Sequence, residues 1–544
     1  MVFFTVFCRI FQFIFNFGAR ALPWRKAIPI EGAAKIPQLL KENKGTKPIL
    51  VTDQGLVKAG ILGRITSVLE KAGIPFAIYS EVEANPSVNT VNRIFELYRG
   101  ENCDCFIALG GGSPMDAAKA AAARSVKPHK SVNQMGGLLK VLKKLPLFIA
   151  VPTTAGTGSE TTIAALITDT ETHHKYAIMD LCLIPKYAVL DPELTTGLPP
   201  AITATTGMDA LTHAVEAYLC WTYNTKESIA FALDAVKEIF KNLPLVYENG
   251  ANLEARRAML QASYKAGFAF TRAGVGNIHA IAHTLGGLYN TPHGLANAVI
   301  LPIVLADYGK KVWKKLSKLA ELTGVAGTSA SDEEKAKAFI DAIYNMNKKM
   351  GIPRYFDFIK SKDIAQMSKW AFRESNPIYP VPVIYSHARF RKIAEILRNS
   401  GTYKITGTCK GCTLCAKSCP VAAISGEKGK IHEINSARCV CCGVCGRICA
   451  SAAVIDNRGN IAKHLKRSLW KKPAIKTALC SACGICVQEC ASGALSISKP
   501  KTKGDIRVYS ELSAPEKCVA CEICEKRCPL GAVAMEDPAK GQQQ

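Results

Sequence analysis

Four copies of Cys-x2-Cys-x2-Cys-x3-Cys occupy the last third of the chain, and they dictate what that region can fold around. The copies are Cys409-Cys412-Cys415-Cys419, Cys439-Cys442-Cys445-Cys449, Cys480-Cys483-Cys486-Cys490 and Cys518-Cys521-Cys524-Cys528, together 16 of the 22 cysteines. Three thiolates spaced this closely wrap one corner of an iron–sulfur cubane, while the fourth is out of reach and goes to a neighbouring cluster. The spacing therefore predicts paired clusters, four [4Fe–4S] centres in two modules. Zinc sites pair Cys-x2-Cys with a distant second pair and have no use for a third nearby thiolate. Disulfides would be strained at this spacing and need an oxidising compartment.

The first and fourth copies end in Cys-Pro, the second and third in Cys-Ala, and Cys441 is an extra thiol off the ligand register, read as a spare or packing residue. Each pair of motifs resembles a bacterial two-cluster ferredoxin, and the tandem resembles a polyferredoxin. The resemblance implies two small α+β ferredoxin-like modules.

At 544 residues and 48% apolar composition the chain is long enough for several cored domains. Its net charge of +25 omits the clusters, each of which would contribute about −2 with its four thiolates. A basic chain suits an acidic partner or an anionic surface, and no nucleic-acid motif is present. The thiols imply a reducing, anaerobic cytoplasm. No run of about 20 apolar residues predicts a transmembrane helix. Residues 1–22 are rich in Phe, with Thr5, Arg9, Gln12, Asn16 and Arg20 drawing one polar stripe down a helix. A secretory signal would want a charged start and an unbroken apolar stretch, so export is not expected despite Ala19-Arg20-Ala21. Two placements stay open, a helix lying in the plane of a membrane and one packed on the protein or a second copy.

From 28 to 190, short apolar strand candidates (Pro48–Thr52, Phe76–Tyr79, Cys105–Leu109, Phe148–Val151, Ala188–Leu190) alternate with helical stretches such as Leu56–Ala72 and Val88–Arg99. This predicts a doubly wound α/β domain. Residues 191–399 carry long helical patterns, including Ala201–Leu219, Glu227–Val246, Ala251–Phe270 and Asp332–Met350, and read as an all-α domain. The remaining boundaries place an amphipathic extension at 1–27, the first ferredoxin-like module at 400–457, a basic linker at 458–476 and the second module at 477–544, with a frayed end at 542–544.

Gly110-Gly111-Gly112-Ser113 follows a strand and opens a helix, where a phosphate can approach the backbone; a tight strand-to-helix turn would use the same residues. Pro152–Ser159 gives a second polar turn after a strand, and two such loops suit a dinucleotide crevice. Asp209 and His213 are four apart, as are His279 and His283, and His293 follows. One such histidine would be read as a core residue. Four of the chain's ten histidines clustered with an aspartate suit Fe²⁺ or Zn²⁺. Such a metal would act as a Lewis acid on a bound oxygen.

Val51-Thr52-Asp53, Asn85-Pro86, Gly110–Asp116, Pro152–Ser159, Gly207–Glu216, His279–His283 and His293-Gly294 together resemble the iron-containing (group III) alcohol dehydrogenases, over about residues 28–396. The resemblance implies Asp209, His213, His279 and His293 as metal ligands and His283 near the nicotinamide as proton relay. It implies Asp53 at the adenosine ribose, disfavouring NADP against NAD. Gly111, Gly112 and Ser113 would hold the pyrophosphate, and Asn85, Asp116, Thr153, Thr154, Thr157 and Lys175 would belong to the cofactor site. Two classes follow: an NAD-linked dehydrogenase of a small alcohol or aldehyde with an electron-transfer tail, or an electron-transfer subunit whose dehydrogenase-like half is scaffold. A polyol enzyme resembling glycerol dehydrogenase is the weaker choice within the first. The expected partners are a small alcohol or aldehyde, further copies of the chain, a flavoprotein or other redox carrier, since no flavin fingerprint is present, and a membrane surface.

Overall fold

Short apolar runs that are too brief for buried helices pair instead as one parallel sheet. In the computed structural model, which describes residues 2–169, 175–399, 403–435, 438–456, 460–500 and 507–537, these are β1 (Ile28–Glu31), β2 (Pro48–Val51), β3 (Ala77–Tyr79), β4 (Cys105–Gly110), β5 (Leu147–Pro152) and β6 (Tyr187–Leu190). Their order is β1-β6-β5-β4-β2-β3, and every pairing is parallel. Alternate residues feed two cores. Ile49, Val51, Phe106, Ala108, Phe148 and Ala150 face one side. Leu50, Ile107, Leu109, Ile149 and Val151 face the other. Burial on both faces is why these strands read as continuous apolar runs rather than alternating ones. The sequence reading missed β1, a largely exposed edge strand with a proline inside it. It also missed a small sheet of Gly137–Leu138, Lys175–Met179 and Ala164–Thr168. The helix anticipated over Leu56–Ala72 is two helices, Gln54–Lys58 and Ile61–Lys71.

The chain divides into two compact units, Met1–Arg354 with Ile359–Ala394, and Tyr355–Phe358 with Glu395–Gln544. In the first unit the helices that matter are α1 (Val2–Arg20), α2 (Gly112–Val126), α3 (Pro200–Leu219), α4 (Asn277–Tyr289), α5 (His293–Tyr308) and α6 (Ile364–Ser375). Helices α4 and α5 had no clear periodicity in sequence: they are apolar nearly all round because they are buried on most sides.

The second unit holds four antiparallel strand pairs: Lys404–Ile405 with Val454–Ile455, Ile424–Ser425 with Glu433–Ile434, Lys472–Ile475 with Val533–Glu536, and Leu495–Ile497 with Ser510–Leu512. The first and third pairs each bracket two cysteine motifs, which makes two modules of the same plan. Residues 472–475, inside the segment read as a basic linker, are thus a strand of the second module, and Trp470 is buried. Residues 400–402 at the start of the first module as read from the sequence, 457–459 at its end and 542–544 lie outside the described residues.

Candidate active site and cluster cages

The cysteine motifs repeat a backbone as well as a spacing. In every copy the second, fourth and thirteenth residues after the first cysteine have positive φ: Gly411, Thr413 and Ala422; Cys441, Gly443 and Ala452; Ala482, Gly484 and Gly493; Ala520, Glu522 and Gly531. Seven of the twelve are not glycine, and each of those costs about 1–2 kcal/mol in the left-handed region. Such a conformation persists only where something over-determines it, and successive inward N–H groups make a concavity for an anion. The third cysteine of each copy sits on a short helix: Leu414–Lys417, Val444–Ile448, Ile485–Gln488 and Ile523–Arg527.

The fourth cysteines cross over as the spacing predicts. One cavity is lined by Cys439, Cys442, Cys445 and Cys419. Another is lined by Cys409, Cys412, Cys415 and Cys449, together with the buried His432. In the second module Cys490 is an electrostatic neighbour of Cys521 and Cys524, and Cys528 shares an apolar cluster with Cys486. Cys441 lines neither cavity. Its thiol shares a hydrogen bond with Cys439, which holds Cys439 down at about 6 and pushes Cys441 up. The two modules touch at their inner cages: Arg447 donates to the carbonyl of Cys442 at 3.0 Å and of Ala520 at 2.7 Å, and Val444, Trp470 and Ala520 form one apolar cluster with Cys442 and Cys521 against it.

In the first unit, strand order reverses between β2 and β4, the place where open α/β sheets bind ligands at the carboxyl ends of their strands. Asp53 follows β2 and caps the next helix, accepting from Leu56 N at 3.1 Å. Gly110 ends β4 at φ 150°, where a Cβ would lie 2.6 Å from Pro114 Cγ, so the turn into α2 requires glycine. Gly111, Gly112 and Ser113 are half-buried at the start of α2. Thr154 and Thr157 stand beside the glycines: a Cβ on Gly111 would lie 3.4 Å from Thr154 Oγ1, one on Gly112 3.2 Å from Thr157 Cγ2. Thr153 bonds back to Gly110 O at 3.0 Å. Asn85 has φ 110° in the loop after β3. Asp116 is buried and braces the second loop, accepting from Ser159 Oγ at 2.8 Å and Leu166 N at 3.1 Å. Lys119, which the sequence reading did not single out, ties α2 to the same loop through Ser159 O at 2.6 Å, Thr162 Oγ1 at 2.8 Å and Ala164 O at 3.1 Å. Lys175 opens a strand of the small sheet, and its side chain lies outside the described residues.

Asp209 and His213 on α3, His279 on α4 and His293 at the first position of α5 present one ligand atom each, all within 4.8 Å of one another. The close approach of α5 to α3 depends on Gly294, where a Cβ would lie 2.3 Å from Thr205 O. Burial pushes Asp209 up to about 7 against the pull of a hydrogen bond from Asn297, and holds His213 well below its usual range and His279 at about 3. A buried carboxyl beside neutral imidazoles is the donor set of a borderline divalent cation, which would remove the cost of burying the carboxylate. Asn297 Nδ2 lies 2.7 Å from Asp209 Oδ1, 3.0 Å from His279 Nε2 and 3.2 Å from His293 Nε2, while its buried Oδ1 has no hydrogen-bond partner among the described residues. The residues fit a divalent ion.

Residues 29–192 match the model of the iron-containing alcohol dehydrogenases, and residues 203–400 match the C-terminal domain of the same family. Residues 479–532 match a 4Fe-4S dicluster domain. The chain is 36% identical over 376 residues to an NAD-dependent methanol dehydrogenase of Bacillus methanolicus, covering 68% of this chain and 96% of that one. It is 40% identical over 336 residues to a 1,3-propanediol dehydrogenase of Klebsiella pneumoniae, covering 61% and 86%. Among solved structures, a 1,3-propanediol oxidoreductase superposes with TM-score 0.66 at 35% identity over 69% of this chain and 99% of that one. A sulfoacetaldehyde reductase of Bifidobacterium kashiwanohense in complex with NAD⁺ gives 0.62 at 27% over 70% and 99%.

The chain belongs to the iron-containing alcohol dehydrogenase family. It is a metal-dependent, NAD(P)-linked dehydrogenase of alcohols and aldehydes with an iron–sulfur tail. In this dehydrogenase the groups that orient the site are those the sequence reading left without a role. Glu216, two turns along α3 from Asp209, accepts from His279 Nδ1 at 2.6 Å and from Gly276 N and Ile278 N at 2.8 Å each. Such a carboxylate fixes the ring and its tautomer. His283 Nδ1 lies 2.6 Å from Glu374 Oε1 on α6, and Tyr379 OH donates to the same oxygen at 2.8 Å. His283 and His293 stack at 5.2 Å between ring centroids, so the relay candidate borders the metal cluster. Glu216 and Asn297 could have been found as helix-face neighbours of Asp209 and His293. Glu374 and Tyr379, roughly ninety residues downstream of His283, carry no local signal.

Proposed function

We propose that the enzyme interconverts a small primary alcohol and its aldehyde with NAD(H) at the Asp209-His213-His279-His293 cluster, and that four [4Fe–4S] cages form one series in the tail. The convergence of those four ligand atoms, three on buried residues and His293 at the open side, carries the first reading and disfavours a scaffold role for this half. A divalent metal there supplies Lewis-acid polarisation of the substrate oxygen. The protein orients what surrounds it: Glu216 holds His279, and the Tyr379–Glu374 pair holds His283 by Nδ1 as the group to take or give a proton. Asp53, at the end of β2, would repel the 2′-phosphate of NADP, which favours NAD.

For the tail, the first two motifs repeat the three-position backbone pattern of the last two, which lie in the matched dicluster domain. Contact between the inner cages through Arg447 and Trp470 supports the order 409-cage, 439-cage, 518-cage, 480-cage. Cys412 and Cys483, at the two outer cages, are exposed, which suits electron entry and exit at the ends. Hydride moves two electrons and a cubane one, so a flavoprotein or similar carrier would bridge the two chemistries. The test is anaerobic reconstitution of the full chain. About sixteen cluster irons beyond the catalytic metal, with NADH oxidation by short aldehydes, is expected. About eight irons, or no turnover, would overturn the corresponding half. Asp53→Ala should raise the efficiency with NADPH relative to NADH.

A further inference from the structure

Helix α1 is built inside out. Its polar stripe faces the protein: Gln12 is fully buried and donates to Pro377 O at 2.9 Å and Tyr379 O at 2.7 Å. Arg9 donates to Val381 O at 2.8 Å and Pro382 O at 3.1 Å and lies 4.7 Å over the Trp221 ring, and Asn16 donates to Thr222 Oγ1 at 3.2 Å. Phe4, stacked 5.4 Å from Phe372, and the buried Cys8 complete the inner face. The outer face is apolar. Phe3, Val6, Phe7, Ile10, Phe13, Ile14 and Phe17 follow a helical repeat and are 51–91% exposed. A helix of 19 residues is about 28 Å long, so this is a continuous stripe rather than scattered apolar residues.

We propose that this face docks the enzyme on an anionic bilayer, with α1 lying in the plane of the membrane. No helix among the described residues is long and apolar enough to cross one. Residues 1–30 contain four Arg or Lys and no Asp or Glu, and Arg20, at the end of the helix, is exposed. The chain carries +25 before clusters are counted, so an anionic surface attracts it. Rings that insert to the depth of the acyl boundary while the polar stripe stays on protein make an interfacial anchor without a charged solvent face. The helix is gripped through backbone carbonyls of 377–382, the segment whose Tyr379 holds Glu374. Docking would thus seat the protein through a segment that also braces the active site.

The test uses the full-length holoprotein under anaerobic conditions with phosphatidylcholine vesicles, with and without about a quarter phosphatidylglycerol. Wild type should co-sediment with the anionic vesicles and less at high salt. The combined variant Phe7→Ser, Phe13→Ser, Phe17→Ser should partition about tenfold less or weaker still, with unchanged metal content. Equal partitioning of the two would overturn the proposal. So would a wild-type dimer in solution that becomes monomeric in the variant while neither binds vesicles, since the face would then belong to a second copy. Should the triple variant lose its metal, Phe13→Trp with brominated lipid gives an independent readout. Quenching of the introduced indole by anionic brominated vesicles is expected, and fluorescence indistinguishable from that with unbrominated vesicles would overturn docking.

Discussion

The two units make metal sites by opposite means. Each cysteine motif brings three thiols together within seven consecutive residues, and the backbone that carries them is repeated four times. The catalytic cluster takes four ligands from three helices across 85 residues, and needs Glu216 and Asn297 to set it. A local cage carries its own geometry. A dispersed site borrows geometry from packing, so its failures should spread through the fold while those of a cage stay local.

The sharpest break in that comparison is removal of a ligand from each side. His279→Ala should abolish bound catalytic metal and essentially all dehydrogenase activity while cluster iron is retained. Cys412→Ser should lose about four irons and leave aldehyde-dependent NADH oxidation intact. Metal analysis with steady-state kinetics reads both. Loss of dehydrogenase turnover in Cys412→Ser would show that the sites are not independent.

Next in size is the orienting carboxylate. Glu216→Gln keeps the shape but loses the anion that fixes His279, and outer-shell changes of this kind cost about 10–100-fold in metal affinity. Competition against a chelator measures it. An unchanged affinity would mean that helix packing alone aims His279, and the dispersed site would be as self-contained as a cage.

These two predictions track what could be read from sequence. The cysteine ligands were legible because spacing alone fixes them. So were Asp209, His213 and His279, because a separation of four on a helix is a local pattern. His293 was legible through clustering and family resemblance. Glu374 and Tyr379 were not, because they reach His283 through tertiary folding alone. For the same reason the sequence showed the polar stripe of α1 but not its direction: Gln12 and Arg9 turn inward because carbonyls of the 377–382 segment accept from them. The strand at Lys472–Ile475 was hidden by its lysine and proline, both tolerated in a two-stranded ribbon whose other edge is open.

A smaller effect is expected at the relay. Glu374→Gln should lower kcat about tenfold with little change in KM, since the carboxylate orients His283 rather than contacting substrate. Tyr379→Phe should act in the same direction and more weakly. A KM effect larger than the kcat effect in Glu374→Gln would place the residue in substrate binding instead.

The smallest effect tests whether a cage is wholly local in its chemistry. Cys441 occupies the left-handed position that Gly411, Ala482 and Ala520 fill in the other motifs, and its thiol hydrogen-bonds Cys439. A donor on a ligand sulfur stabilises the more negative reduced cluster and raises its potential. Cys441→Ala keeps a side chain that two other cages already accept at this position, so iron content should not change. The potential of the 439-cage should fall by roughly tens of millivolts, with the other three unmoved. Redox titration followed by electron paramagnetic resonance resolves this. Loss of a whole cluster would mean that the second motif uses Cys441 as a ligand, and its four thiolates would then be a shifted set.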